Sequence, residues 1–157
     1  MHFLFIFTAF LLAAQVSFSQ QTIPADGNYA ILNAVISPQG NPVALTFDGN
    51  GNAAIVTPFI PGAYNQTWTL TSATTTTKTV HSTLNGLEVQ PATGGGFIIV
   101  ASPRGNTWTI VTGTYTLIQG ARNTSSWGVA VSTSGETVTI TSGTGVDARS
   151  RWVLLPI

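Results

Sequence analysis

The sequence predicts an all-β chain folded as a β-trefoil, in which three four-stranded repeats close around one axis. Three observations predict it. From Asp26 onward, Val, Ile, Thr, Phe and Tyr alternate with small polar residues, and clusters of Gly, Asn and Ser interrupt them as turns do. No stretch keeps a 3.6-residue apolar period over three turns, so no long amphipathic helix is expected. A polar-x-Trp-x-aliphatic pattern occurs at Gln66-Thr67-Trp68-Thr69-Leu70, Asn106-Thr107-Trp108-Thr109-Ile110 and Ser150-Arg151-Trp152-Val153-Leu154, with the tryptophans 40 and 44 residues apart. Repeats of about forty residues also suit propeller blades, but a propeller needs at least about four of them. Three units that each supply one large apolar residue at the same depth account for one tryptophan per repeat.

The chain opens on an apolar run, Phe3 to Ala14, followed by the small and polar stretch Gln15-Val16-Ser17-Phe18-Ser19-Gln20. About a dozen apolar residues is short for a bilayer, which needs roughly 20. It fits the core of a secretory signal, with Ser17 and Ser19 at the small positions before a cut. The expectation is a signal peptide over 1–19, a mature domain over 20–157, and a secreted, extracellular product with no membrane insertion after cleavage.

The first repeat, about 27–70, is expected to carry strands near Tyr29–Asn33, Val43–Phe47, Ala53–Thr57 and Gln66–Leu70. The second, about 71–110, carries them near Thr77–His81, Leu87–Val89, Phe97–Val100 and Thr107–Val111. The third, about 111–157, carries them near Thr114–Ile118, Trp127–Val131, Thr137–Ile140 and Trp152–Leu154. Two repeats open alike, Gly27-Asn28-Tyr29-Ala30-Ile31-Leu32 against Gly113-Thr114-Tyr115-Thr116-Leu117-Ile118. Asp48-Gly49-Asn50-Gly51-Asn52 imitates a calcium loop, but its twelfth position is Phe59 where a bidentate acid is needed, so it reads as a hairpin loop. Gly94-Gly95-Gly96 lacks the Lys-Ser/Thr of a phosphate loop and reads the same way.

Composition removes whole classes of function. Five Lys plus Arg balance five Asp plus Glu, and only 6% of residues are charged, against roughly 25% in an ordinary soluble chain. No basic patch exists for nucleic acid or for an anionic membrane. With no cysteine there is no disulfide framework, thiolate metal site or cysteine nucleophile. The mature chain offers one histidine, His81, in a Thr-rich strand, no nucleophile elbow, and too few acids for a glycosidase pair. No enzymatic activity, metal or cofactor is expected.

Gln66-Thr67-Trp68 is the Gln-x-Trp signature of ricin-B-type lectins, with degenerate copies at Trp108 and Trp152. The first repeat, with Ser37-Pro38-x-Gly40 and Val43-Ala44-Leu45-Thr46-Phe47, resembles the mushroom lectins of this type that bind fucosylated chitobiose. The resemblance implies a glycan-binding protein, used in fungi for defence against animals. Ricin-type sites set an acid on the second strand of a repeat and an aromatic on the third. Aligned repeats bring Thr46, Glu88 and Ala130 to the acidic position, and only Glu88 is a carboxylate. In the resembling mushroom lectins the site lies in the second repeat, just before and at its final tryptophan. That implies carbohydrate contacts at Gly105, Asn106 and Trp108, with Glu88 and Phe97 as flanks. Sugar recognition needs an apolar face against the C–H side of a pyranose and polar groups for its hydroxyls.

Trp68, Trp108 and Trp152 are expected in the core, Trp108 with an exposed ring edge, and Trp127 as a core filler. Glu88 suits either a ligand contact or a solvated strand face. An alternative function is protease inhibition through the proline-stiffened loop Thr57-Pro58-Phe59-Ile60-Pro61-Gly62. Asn65-Gln66-Thr67 and Asn123-Thr124-Ser125 are glycosylation acceptors, the first hindered by the adjoining Gln-x-Trp.

Overall fold

The computed structural model describes residues 22–34, 40–101, 106–112, 116–120, 125–130, 134–142 and 148–157. The expected signal segment and Gly105 lie outside these residues. The first repeat holds β1 (Gly27–Asn33), β2 (Val43–Thr46), β3 (Ile55–Pro58) and β4 (Thr67–Ser72). The second holds β5 (Lys78–Ser82), β6 (Glu88–Pro91), β7 (Ile98–Ala101) and β8 (Thr109–Val111). The third holds β9 (Leu117–Gln119), β10 (Ser125–Gly128), β11 (Glu136–Thr137), β12 (Thr139–Ser142) and β13 (Trp152–Pro156). Each expected strand overlaps an observed one. The third strand of the last repeat is divided at Val138 into β11 and β12, because Val138 turns its backbone toward the other repeats.

Six strands close a barrel. β1 pairs with β4, β4 with β5, β8 with β9 and β13 with β1, all antiparallel. Lys78 and Trp108 close the β5–β8 step by exchanging backbone hydrogen bonds of 2.8 Å each way, and Thr116 and Trp152 do the same between the β9 segment and β13. Six of the remaining strands form three hairpins, β2–β3, β6–β7 and β10–β12, and β11 pairs with β3. Their third strands meet at the axis in a cycle: Ala54 N–H donates to Ile98 C=O at 2.9 Å, Ile98 to Val138 at 3.1 Å, and Val138 back to Ala54 at 2.8 Å. These are the three-fold relations of a β-trefoil.

The three repeated tryptophans are core residues, 0, 2 and 0% exposed for Trp68, Trp108 and Trp152. A buried indole needs an acceptor for its N–H. Each finds it on the second strand of its own repeat: Leu45 C=O at 3.0 Å, Val89 C=O at 3.2 Å and Trp127 C=O at 3.1 Å. Trp127, as expected, fills the core, at the position that Leu45 and Val89 hold elsewhere. Its own Nε1 has no partner, and its ring meets Trp108 edge-on at 4.8 Å between centroids.

At the other end of the barrel a buried cation is held. Lys78 is 3% exposed, and its Nζ donates to Asp26 Oδ1 and to Ser72 Oγ. Ser72 N–H and Oγ–H also donate to Asp26 Oδ1, at 2.9 and 2.8 Å. A buried ammonium is tolerable only when paired in this way. Thr22, bridged to Thr112, and Asp26 therefore fasten the segment before β1 to β8, β4 and β5.

Two outcomes follow from this packing. Trp68→Ala or Trp152→Ala should lower stability by about 3–5 kcal/mol, the cost of emptying a large core site. Urea denaturation reads it, and a loss below about 1 kcal/mol in both would contradict core burial. The Asp26 carboxyl is lowered from 3.8 to about 2, chiefly by the hydrogen bond from Lys78 and then by those from Ser72. A depressed acid contributes stability that is present above its unfolded value and is lost as pH falls through the folded one. Unfolding measured from pH 3.8 down toward about 2 should therefore show a decline that is shallower in Asp26→Asn.

Candidate functional site

The residues expected to contact carbohydrate lie on and beside the β6–β7 hairpin of the second repeat. Successive strand residues point to opposite faces. Val89 and Val100, a register pair, point inward and are fully buried. Glu88, Gln90, Ile99 and Ala101 occupy the other face, paired Glu88 with Ala101 and Gln90 with Ile99. Phe97 continues that face at the hairpin end, where its carbonyl accepts from Ala92 N–H at 3.0 Å, and it is 38% exposed. Asn106 comes over the same face: its Nδ2 donates to Gln90 Oε1 at 3.5 Å, and its side chain is half-buried. Thus Phe97, Gln90 and Asn106 share one side of the second repeat.

Two other expected contacts are covered. Trp108 is 2% exposed, so the exposed ring edge expected of it is not there; the ring lies between Val89 C=O and Trp127. Glu88 is 1% exposed, which removes the solvated strand face as its setting. The alignment that placed it with Thr46 is also corrected. Because Leu45, Val89 and Trp127 accept the three indoles, the residues that follow them are equivalent: Thr46, Gln90 and Gly128. Glu88 therefore corresponds to Ala44, two residues earlier.

The residue two before each tryptophan meets that following position in all three repeats, with different chemistry. Gln66 is 2% exposed and fully engaged. Its Nε2 donates to Thr46 Oγ1, Thr57 Oγ1 and Pro58 C=O at 3.2, 2.8 and 2.8 Å, and its Oε1 accepts from Ile60 N–H at 2.8 Å. This glutamine folds the β3–β4 loop onto its hairpin. Asn106, one methylene shorter, reaches only Gln90, at the long distance given above, and keeps hydrogen-bonding capacity for something else. Ser150 is 5% exposed and packs on Gly128, where an added Cβ would stand 3.1 Å from its Oγ.

Reasoning from the sequence missed Tyr64. It stands on the 3-10 turn Tyr64–Gln66 and is 75% exposed, with Asn65 exposed beside it. The signal was an aromatic four residues before Trp68, after the turn-forming Pro61-Gly62. Asn65 is thus accessible as an acceptor, while its neighbour Gln66 turns inward; the other acceptor asparagine, Asn123, lies outside the described residues. Among the described residues no three His, Asp or Glu side chains gather as a metal site, and no helix is long and apolar enough to cross a membrane.

A family model described as CCL2-like, CCL2 lectin-like, matches residues 27–152, which span all three repeats. The chain belongs to this lectin family. Solved structures with the same fold include a designed three-fold symmetric protein, ThreeFoil, at 16% identity, TM-score 0.68, covering 84% of this chain and 100% of that one. The Rhizoctonia solani agglutinin matches at 18% identity and TM-score 0.69, covering 87% and 99%. A Macrolepiota procera ricin B-like lectin in complex with lactose matches at 15% identity and TM-score 0.67, covering 87% and 99%. No curated protein sequence matches the chain. The CCL2-like membership accords with the Gln-x-Trp signature and its degenerate copies.

The contrast between the two polar anchors is measurable. Gln66→Ala removes a buried amide that accepts from Ile60 N–H and donates to Thr46, Thr57 and Pro58, and should cost about 1–3 kcal/mol. Asn106→Ala removes one long contact and should cost less than about 1 kcal/mol. Equal losses in chemical denaturation would refute the distinction.

Proposed function

We propose that this CCL2-like chain is a secreted, non-enzymatic lectin that binds fucosylated or N-acetylglucosamine-containing glycans at the second repeat. The observation that carries the reading is Asn106: a half-buried amide with one weak internal contact, on the same side of the repeat as the exposed Phe97. Phe97 offers an apolar surface to the C–H side of a pyranose, and the Asn106 amide offers both donors and an acceptor to hydroxyls. Gly105, next to Asn106 in sequence, is kept among the proposed contacts. Trp108 lies beneath, against Val89 and Trp127, and Glu88 is buried on the same face of the hairpin as Gln90. Family membership favours this reading over inhibition through Thr57–Gly62, and the lactose complex of the Macrolepiota procera lectin supports a glycan as the partner class. The apolar run Phe3–Ala14 supports export.

A glycan array of wild type against Asn106→Ala tests the proposal. The variant should lose roughly five- to a hundredfold in affinity, the equivalent of about 1–3 kcal/mol for one polar contact, with its unfolding midpoint nearly unchanged. Unaltered binding by Asn106→Ala would remove the second repeat as the site, and absence of glycan binding by wild type would remove the function.

A further inference from the structure

From the sequence, the overlap of the acceptor Asn65-Gln66-Thr67 with the Gln-x-Trp argues against glycosylation there. The fold removes that objection. The 3-10 turn Tyr64–Gln66 separates the two neighbouring amides. Gln66 is buried and engaged by Thr46, Thr57, Pro58 and Ile60, whereas Asn65 is exposed. Among the described residues no hydrogen bond engages the Asn65 side chain. Its carbonyl serves the fold instead, accepting from Phe47 N–H at 2.8 Å. A group attached to the Asn65 side-chain nitrogen therefore displaces no bond of the folded chain.

The rest of the acceptor sequence is closed once the chain has folded. Gln66 is buried, and Thr67 is half-buried with its Oγ1 donating to Ala63 C=O at 3.0 Å. The third-position hydroxyl is what distinguishes an acceptor sequence from any other asparagine. Folding thus hides the signal and leaves its asparagine in solvent. The closure comes from downstream. Thr83 Oγ1 donates to Tyr64 C=O at 3.2 Å and to Thr67 C=O at 2.9 Å, and Thr83 N–H donates to Thr67 C=O at 3.1 Å. β4 also takes β5 as a partner, from Trp68 opposite Ser82 to Ser72 opposite Lys78. Thr83 follows Thr67 by 16 residues. A chain entering a compartment N-terminus first presents Asn65 and Thr67 before the residues that close them arrive.

We infer that Asn65 is an N-glycosylation site, modified while the chain is still open and carried on the surface of the folded first repeat. This rests on the reading of the chain as an exported protein, and it concerns a glycan joined to the chain rather than one that the chain binds. The donor class is a lipid-pyrophosphate-linked oligosaccharide whose linking sugar is N-acetylglucosamine. The Asn65 Nδ2 attacks the anomeric carbon of that sugar. A C–N bond forms, the C–O bond to pyrophosphate breaks, the lipid pyrophosphate leaves, and one amide proton passes to solvent. No oxidation or reduction is involved. The product places a bulky, solubilising group on a chain in which only 6% of residues are charged.

The test expresses the full chain in a eukaryotic cell that glycosylates secreted proteins. Mass spectrometry then reads the peptide containing Asn65 before and after peptide N-glycanase, which leaves an aspartate wherever a glycan was removed. Reading that peptide alone keeps Asn123 out of the result. Protein from the medium should carry a glycan at Asn65 that is lost in Asn65→Gln and in Thr67→Ala. Its unfolding midpoint should be no lower than that of the same protein after the glycanase. For the order of events, folded chain made in bacteria is offered to microsomal transferase with its lipid-linked donor, beside chain translated into microsomes. The folded chain should stay bare and the translated chain should gain the glycan. Secreted protein with a bare Asn65 would overturn the site and leave export and sugar binding standing. A bare Asn65 on protein retained in the cytosol would overturn the site together with export. Equal modification of folded and translated chain, or a midpoint raised by removing the glycan, would overturn the inference as stated.

Discussion

The fold depends on a cycle of three backbone hydrogen bonds, from Ala54 to Ile98, Ile98 to Val138 and Val138 to Ala54. Each repeat gives one donor and one acceptor, and none can satisfy its own. All six groups sit where Ala54, Ile98 and Val138 are fully buried, so leaving any of them unmade would cost far more than the bond contributes. Each repeat therefore completes the backbone bonding of the other two at the axis. Beneath the cycle, the indole N–H groups of Trp68, Trp108 and Trp152 tie each barrel strand to the hairpin of its own repeat. One set of bonds joins repeats to one another, and the other joins the two layers. Neither needs a disulfide or a network of charges, which is how a chain with 6% charged residues and no cysteine can hold one structure.

The tryptophans made this architecture legible, because a ring of that volume has few places to go in a small barrel. What lay between them was harder to read. The indole acceptor lies 23 residues before the tryptophan in the first repeat, 19 in the second and 25 in the third. Differences of that size are absorbed by loops, whose lengths cost little, while the paired strands stay in register. Counting by sequence likeness therefore slid Glu88 two places from its true equivalent, Ala44, and left Gln90 unnoticed. Trp127 looked like an extra residue for the same reason. It is the third-repeat counterpart of Leu45 and Val89, replaced by a larger ring, and only the bond from Trp152 makes that visible.

At the candidate site the limit was of another kind. Gln66 and Asn106 occupy the same place in the pattern and look interchangeable, both amides, both two residues before a tryptophan. One methylene separates them. It lets Gln66 reach three acceptors and one donor, and it leaves Asn106 with a single long contact. Exposure changes just as abruptly along the chain. Tyr64 and Asn65 face solvent while Gln66 is buried, because a tight 3-10 turn sends neighbouring side chains to different sides. Pattern alone ranks these residues by type; their roles are set by distances of an ångström or so that only the folded chain defines.

Triplication explains how one scaffold supports both kinds of residue. The place two residues before each tryptophan faces Thr46, Gln90 or Gly128, and each pair divides the available space differently. A long amide meets a small hydroxyl in the first repeat, a short amide meets a long one in the second, and a serine fills the room left by a glycine in the third. Because the axial cycle and the indole bonds hold all three hairpins in the same way, a residue that is structural in one repeat need not be structural in the next. Gln66 anchors the first loop so firmly that the tyrosine beside it can stand exposed without loosening the turn. Asn106 braces no such loop and makes a single long contact to Gln90. The loops are therefore where repeats built on one backbone plan diverge in chemistry, and the rigidity of the plan makes that divergence cheap.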